Sequence, residues 1–383
     1  MKSEILSVEN PSAHGFAFAA REALLLAPYA MHSAQSAGRR HPEPPHLYRG
    51  PYQRDRDRIV HSAAYRRLSA KTQVFTGDEL GDYHRTRLTH TLEVASVART
   101  VARALRLNED LVEALALAHD IGHPPFGHSG EDTLRECLAE EGGFNHNRQA
   151  LRIVEELEVR YPDFPGLNLS LEILAGQQTR FDKDASRPSP LLEVQVVDAA
   201  DSVAYDTHDA DDALELGLVQ LDELLALPLW SEAARRVQHR YTALSGSQLR
   251  RAVLHELIDW QVGSLLEHTS RRLQSQAPQD AAAVHKLPVL VAPSDELAPL
   301  KKELESFLYD RVYRHPLVMS QRVLAQDALR QMFAGYLERP ELLPRKFQAR
   351  AERDGLPRSV CDYLAGMTDR FAWHEFQRLF ASQ

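Results

Sequence analysis

Four side chains, His90, the adjacent pair His119-Asp120, and Asp201, offer two imidazole nitrogens and two carboxylates, the ligand set of a mixed nitrogen and oxygen metal site. An ion in such a site acidifies water and polarises an ester, so the chemistry it points to is hydrolysis of a phosphate ester. Neighbouring side chains diverge by roughly 100° on an ideal helix, so an adjacent His and Asp reach one ion where a helix ends. Gly122, Pro124 and Pro125 follow at once and put the dyad at a helix terminus. An HD dipeptide arises easily by chance in a chain with 18 histidines. Here, however, His84, His90, His119, His123, His128 and His146 crowd into one stretch, and the run Ala114 to Ala118 before the dyad is nearly all apolar. A buried helix would carry the pair into the interior, where an unpaired carboxylate is expensive and a cation relieves the cost. The donor set suits Mn, Fe, Co or Zn better than Mg or Ca.

The string from His119 to Glu131 is the most specific in the chain, and its glycines and prolines fix a turn that presents His123 and His128 near the metal. Imidazole titrates near neutrality, so His128 can act as general acid toward a departing alkoxide, with Glu131 three residues on to hold and charge it. The competing reading has either histidine capping a backbone carbonyl. Asp201, Tyr205 and Asp209 stand at i, i+4 and i+8 and share one helical stripe. A ring to stack on a sugar, beside a carboxylate to accept a ribose hydroxyl, makes a nucleoside shelf one turn from the metal ligand; a solvated acidic face is the alternative for Asp209. Arg66, Arg67, Lys71, Arg85 and Arg87 flank the Gly77 to Asp82 loop, and a triphosphate of charge about −4 needs several cations. Gln73 can read a base edge or sugar with its amide. Asn145, His146 and Asn147, with Arg148 and Gln149, form a polar knot before a helix, suited to phosphate oxygens.

These residues need helices to position them, and helix-period patterns dominate the chain. A Pro- and His-rich arm (1–50) leads into a basic helical segment from Arg54 to Ser69, then Lys71 to Phe75 reads as a short strand or extended turn. Helices are expected over about His84 to Leu107, with His90 facing its successor, and over Asp110 to Asp120. Ser129 is placed as N-cap of a helix through Glu140, with Asp132 as the capping-box acid. Further helices are expected over about Asn147 to Tyr161, Leu169 to Gln178 and Leu191 to Gly217, with a polar connection from Asp182 to Pro190. The division is an arm (1–50), a catalytic core (51–217) and a helical C-terminal region (218–383) that packs on the core and at oligomer contacts. That last region carries the long periodic helix Leu249 to Leu273 and a loop with an extended piece at Val289 to Val291, and no motif that translates into chemistry.

Composition sets the class: 43% hydrophobic and 26% charged residues describe a globular protein with a sizeable core. A net charge of −9 argues against a surface given over to nucleic acid. Two cysteines, Cys137 and Cys361, supply neither a disulfide framework nor a Cys-based zinc motif and suit a reducing cytoplasm. Glu4 and Glu9 stand where a signal peptide would be basic, and no window approaches the roughly 20 apolar residues of a membrane span. A cytoplasmic protein with no membrane partner is expected.

Arg66-Arg67-Leu68 with Lys71-Thr72-Gln73-Val74, Arg87-Leu88-Thr89-His90, the 119–131 string, Phe144-Asn145-His146-Asn147 with Gln149, and Ala200-Asp201-Ser202-Val203-Ala204-Tyr205 with His208-Asp209 are similar to a known set. Over residues 54–215 the chain resembles the deoxyguanosinetriphosphate triphosphohydrolase-like branch of the HD-domain phosphohydrolases. The resemblance implies an all-α fold, an HD-domain helical bundle with a helical C-terminal lobe. It implies a metal on His90, His119, Asp120 and Asp201, a catalytic pair in His128 and Glu131 with His123 ranked below them, Gln73 and Arg87 at the nucleotide, and Tyr205 and Asp209 at the sugar. Arg66, Lys71 and Asn147 join the substrate set as triphosphate contacts. The implied reaction converts a deoxynucleoside triphosphate (dNTP) and water to deoxynucleoside and intact triphosphate. A homo-oligomer and an activating nucleotide are implied partners. The alternatives are another HD hydrolase, acting on a nucleoside monophosphate, a cyclic nucleotide or a guanosine polyphosphate, and a non-catalytic nucleotide sensor or single-stranded nucleic-acid binder.

Overall fold

Capping chemistry decides where the site-bearing helices begin. In the computed structural model, which describes residues 11–73, 85–182 and 188–380, the helix Arg87–Ala104 opens on a reciprocal cap. The Thr86 hydroxyl accepts from the Thr89 amide at 3.2 Å, and the Thr89 hydroxyl accepts from the Thr86 amide at 3.0 Å. The Arg87 amide also donates to the Lys71 carbonyl at 3.0 Å, and Thr72 pairs with Thr86 in an isolated antiparallel bridge, which ties the helix start to the segment carrying Gln73. The expected strand beyond Gln73, the Gly77 to Asp82 loop and the expected start at His84 lie outside the described residues. The helix Glu109–Ala118 opens on Asn108, whose side chain accepts from the Leu111 amide at 3.2 Å, with Glu109 and Asp110 in the first turn where carboxylates favour the helix dipole. It ends with His119 as C-cap.

The architecture is all-α: among the described residues there is no strand, and three isolated bridges are the only β-type pairings. The helices Pro51–Val60, Arg87–Ala104, Glu109–Ala118 and Leu192–Glu215 pack together over one apolar core that includes Val94, Leu111, Val112 and Val197. A second core joins Phe126, Leu134, Leu138 and Phe144 to Leu329, Met332, Leu364 and other residues of the C-terminal third. A third surrounds Trp230 and packs the end of the Leu192–Glu215 helix against Leu257, Leu304 and Val312. The dyad loop runs between the first two cores. Gly122 is required there, because a Cβ on it would stand 2.0 Å from the His146 carbonyl oxygen and 2.3 Å from the Ala150 nitrogen.

Several expected boundaries are corrected. Ser129 is not an N-cap: the helix is Gly127–Cys137, preceded by Phe126 in the left-handed region at φ 63°. Its start is set from outside, by the Asp369 carboxylate accepting from the Phe126 amide at 3.0 Å, and Asp132 pairs with Arg135 and Arg322 instead of closing a capping box. The basic segment is two helices, Pro51–Val60 and Ala63–Arg67, followed by a 3-10 turn, because Ser62 caps the second and Glu158 accepts from the amides of Ala63 and Ala64. The helix expected to reach Tyr161 is α-helical over His146–Arg152 and π-helical over Ile153–Leu157. Its end is held by the Leu167 amide donating to the Val154 carbonyl at 2.6 Å. Val289 to Val291 lie in a loop, as expected, where the amides of Leu290 and Val291 donate to the Gln195 side chain at 2.8 and 3.1 Å. No helix of the described residues is long and apolar enough to cross a membrane.

Candidate active site

His119 shows what the cluster is built for. As C-cap it turns its ring off the helix axis, and its Nδ1 hydrogen goes to the Ala116 carbonyl at 2.6 Å. That bond fixes the tautomer and leaves the Nε2 lone pair free. Nε2 faces carboxylate oxygens of Asp120 at 3.4 Å and Asp201 at 3.7 Å, and it is buried without a hydrogen-bond partner. A lone pair held against two anions in the interior calls for a cation between them. His90, one turn into its own helix, brings Nε2 to 3.0 Å from Asp201 Oδ1. The donor atoms of His90, His119 and Asp201 all lie within 4.8 Å of one another, so these residues can hold a metal ion. Asp120, expected as the fourth ligand, is not among these three; its carboxylate comes to 3.4 Å from His119 Nε2.

The charges agree with that reading. Burial alone would raise the Asp120 carboxyl, but His123, His119 and Arg87 hold it well below the usual range. For Asp201 burial is likewise outweighed, by His119, His90 and Arg180, and the carboxyl stays ionised. Burial lowers His119, while its hydrogen bond to Asp201 and the surrounding carboxylates raise His90 despite burial. Arg87 is fully buried and spans the site, donating to Asp120 Oδ2 at 2.8 Å and to the Gln73 carbonyl at 3.2 Å, with Nε free of partners. Gln73 keeps its own side-chain oxygen unpartnered.

Beside the dyad stands a histidine cluster around Glu131. His128 is exposed at 64% of its side chain, with Nδ1 3.5 Å from Glu131. The tighter partner of Glu131 is His146, whose Nδ1 lies 2.9 and 2.8 Å from the two carboxylate oxygens and whose amide donates at 2.9 Å. His146 stacks on His123 at 3.8 Å, and His123 places Nδ1 3.0 Å from Asp120. Despite the cost of burial, the bonds from His128 and His146 keep Glu131 ionised, far below the ordinary carboxyl range. His146 was legible only as part of a polar knot. Its neighbour Asn145 caps the helix, accepting from the amides of Asn147 and Arg148, and Asn147 is buried with Oδ1 unpartnered.

One and two turns along the helix from Asp201, Tyr205 and Asp209 meet Tyr313. The Tyr313 hydroxyl donates to Asp209, and the two tyrosine rings lie 6.2 Å apart. Burial pushes the Asp209 carboxyl up to about 7, although the Tyr313 bond pulls the other way. Tyr313 comes from the C-terminal third, through the π-helical turn Tyr309–Tyr313, and no local pattern marked it. Arg180 was also missed: its guanidinium sits 2.7 Å from Asp198 and 3.8 Å from Asp201.

The expected cations are not all brought together. Lys71 is buried with its ammonium on the carbonyls of His123 and Ala365, and burial, then the charge of Arg67, drops it to about 7. Arg85 is taken by Asp212 and Glu93. Arg66 is exposed and donates to the His61 carbonyl, with no bond to the cluster. Of the group, Arg87 alone is bonded to the metal-site residues.

Residues 87–206 match the HD domain, and residues 291–378 match the phosphohydrolase-associated domain. The first stretch carries His90, His119, Asp120 and Asp201, and the second carries Tyr313. Among curated proteins the chain is 45% identical over 368 residues to a deoxyguanosinetriphosphate triphosphohydrolase-like protein of Ralstonia pickettii, covering 93% of this chain and 95% of that protein. A protein of the same description from Geobacter metallireducens is 44% identical over 369 residues (93% and 95%), and one from Azoarcus is 44% identical over 377 (94% and 98%).

Proposed function

We propose that this chain, which belongs to the deoxyguanosinetriphosphate triphosphohydrolase-like family of HD-domain phosphohydrolases, is a metal-dependent dNTP triphosphohydrolase. The products are a deoxynucleoside and intact triphosphate. The observation that carries the reading is one helix, Leu192–Glu215, bearing a metal-site carboxylate at Asp201 and, one and two turns on, Tyr205 and Asp209, which Tyr313 meets from the C-terminal third. A turn is about 5.4 Å, the scale on which a scissile phosphate and its sugar are separated. The relatives' printed names make deoxyguanosine triphosphate the first substrate to try.

A divalent ion held by His90, His119, Asp120 and Asp201, with Mn, Fe, Co or Zn better suited than Mg, would supply a nucleophilic water and charge neutralisation at the α-phosphate. The chain supplies the rest. Ala116 fixes the His119 tautomer through its carbonyl. Arg87, one terminal nitrogen on Asp120, the other on the Gln73 carbonyl and Nε free, holds a phosphate oxygen, and Asn147 offers a further polar contact. His128 turns Nδ1 toward Glu131 and so presents Nε2, from which a proton passes to the leaving 5′ oxygen. Glu131 stays ionised to receive and stabilise that charge, with His146 and His123 fixing its position. Asp209 accepts the sugar hydroxyl while Tyr205 and Tyr313 wall the pocket, a narrowness that disfavours an added 2′ hydroxyl. The deoxynucleoside departs with that proton on its 5′ oxygen, the oxygen of the attacking water stays on the α-phosphorus of the released triphosphate, and no covalent enzyme intermediate is needed.

Incubating the protein with each dNTP, singly and mixed, in the presence of Mn and separating the products tests the reading. Deoxynucleoside with intact triphosphate is expected. Release of monophosphate, cleavage of cyclic nucleotides or guanosine polyphosphates instead, or nucleotide binding unaffected by His128→Ala with no turnover would overturn it.

A further inference from the structure

Beside the His90, His119, Asp120 and Asp201 group, a second set of donors converges. One donor atom each from His123, His128 and Glu131 lies within 4.8 Å of the others. The helix Gly127–Cys137 puts His128 and Glu131 on one face, with His128 Nδ1 3.5 Å from Glu131 Oε2. Two ligands bound to one zinc ion at about 2.1 Å in tetrahedral geometry stand roughly 3.4 Å apart. That pair therefore already has the spacing of one edge of a zinc tetrahedron. The surroundings are those of a metal ligand's outer shell. His123 Nδ1 faces the Asp120 carboxylate at 3.0 Å and the Asp120 carbonyl at 3.4 Å, two acceptors, so Nδ1 carries the hydrogen and the lone pair sits on Nε2. A carboxylate in that position orients a metal-binding imidazole and raises its basicity. Glu131 is held in turn by the His146 ring, at 2.9 and 2.8 Å, and by the His146 amide at 2.9 Å. His123 and Glu131 are buried while His128 is exposed, so two donors are preset and the third closes from the side where an ion enters.

We propose that His123, His128 and Glu131 form a second, inhibitory metal site that takes zinc, with ligands distinct from the His90, His119, Asp120 and Asp201 group. Two imidazoles and one carboxylate, with a fourth position for water, are a zinc donor set. Manganese binds nitrogen and oxygen sites most weakly of the divalent series, so this nitrogen-rich trio discriminates against it. The ion and the acid step compete for the same atoms. Zinc on His128 Nδ1 leaves a neutral ring whose one hydrogen is on Nε2. Giving that hydrogen up would leave an imidazolate, a far costlier product than the neutral imidazole that an imidazolium leaves. Glu131, bound to the ion, no longer stabilises a charged His128. Zinc here therefore stops protonation of the leaving oxygen. This consequence rests on the proposed activity; zinc binding does not.

The test counts metal. The full chain is equilibrated with zinc, freed of excess by gel filtration and analysed for bound zinc beside His123→Gln/His128→Gln and Asp201→Ala. The double variant should hold one zinc fewer per chain than the parent, and Asp201→Ala should keep the zinc that the double variant loses. Equal counts in the parent and the double variant would overturn the proposal. If the double variant melts early, His128→Gln alone, on an exposed side chain, should weaken one of the zinc-binding events by about tenfold or more in calorimetric titration; superimposable isotherms would overturn the proposal equally. For inhibition, zinc added to the manganese-loaded parent with deoxyguanosine triphosphate should lower turnover, while the residual turnover of His128→Gln should not respond to the same addition. An equal response in both proteins would refute inhibition through this site. A parent that binds the extra zinc but releases no triphosphate from any dNTP would refute the proposed activity and leave the site standing.

Discussion

Asp209 is a carboxylate placed where the fold disfavours its charge, and replacing it with asparagine should expose the cost. Its carboxyl is fully buried, and desolvation raises its pKa from 3.8 to about 7. A carboxyl raised in the folded state binds its proton more tightly folded than unfolded. Its contribution to stability is therefore fully present below the unfolded pKa near 3.8 and is lost as pH rises through the folded value near 7. One pKa unit corresponds to about 1.36 kcal/mol, so the whole loss is about 4 kcal/mol, of which about 2.5 kcal/mol falls between pH 5 and pH 8. Asparagine does not titrate. The stability of Asp209→Asn relative to the parent should thus rise by about 2.5 kcal/mol from pH 5 to pH 8 and level off beyond. Urea unfolding of both proteins in the presence of a chelator measures it, since a cation near His90 would itself pull Asp209 down. All other titrating groups are common to both proteins and cancel in the difference. A gap that stays flat across this range would show that Asp209 ionises normally and that burial is not what governs it. The same substitution should weaken substrate binding, as expected of a group retained for function at a cost in stability.

The metal set predicts that Asp201→Ala lowers bound metal and turnover together, measured by elemental analysis beside the product assay; full metal occupancy would remove Asp201 from the ligands. His146→Gln deletes the closest imidazole to Glu131 and should reduce kcat by about tenfold or more with little change in KM, whereas His128→Ala should cost about a hundredfold or more. An unchanged kcat in His146→Gln would mean that Glu131 serves His128 alone. Gly122→Ala must move backbone, because its Cβ would lie 2.0 Å from the His146 oxygen; a loss of about 2 kcal/mol or more in unfolding free energy is expected, and wild-type stability would refute the close approach.

What could be read from the chain follows the range of the forces involved. Gly122, Pro124 and Pro125 act on the residues beside them, and the helix does end at His119. The apolar run from Leu111 to Ala118 is buried as its composition dictates. The helix carrying Asp201, Tyr205 and Asp209 spans Leu192–Glu215, within two residues of its expected limits at both ends. Errors came where distant residues intervene. Ser129 looks like a cap locally, but Asp369 holds the amide of Phe126, and the cap falls three residues earlier. Glu131 is three residues from His128 yet bonds more closely to His146, fifteen residues on. Tyr313 reaches Asp209 across 104 positions, a separation over which periodicity carries no information.

The C-terminal third is thereby part of the site rather than an addition to it. Phe126 occupies the left-handed region at φ 63°, a conformation that costs a non-glycine residue about 1 kcal/mol. Nothing in the dyad loop compensates for that. Compensation comes from the Asp369 carboxylate on its amide, from Trp373 against its ring at 5.3 Å, and from the core it shares with Leu329 and Met332. The same Asp369 holds the Thr72 amide, and Ala365 holds Lys71, so both ends of the Arg87 environment are anchored in the C-terminal helices. At the far end of the helix that carries Asp201, Tyr313 supplies, among the described residues, the one side-chain donor bonded to Asp209. A core cut off near residue 217 would keep His90, His119, Asp120 and Asp201, the proposed metal ligands, and lose each of these supports. Metal affinity and turnover should therefore separate in such a fragment, the first depending on side chains the core owns and the second on a loop geometry that it does not.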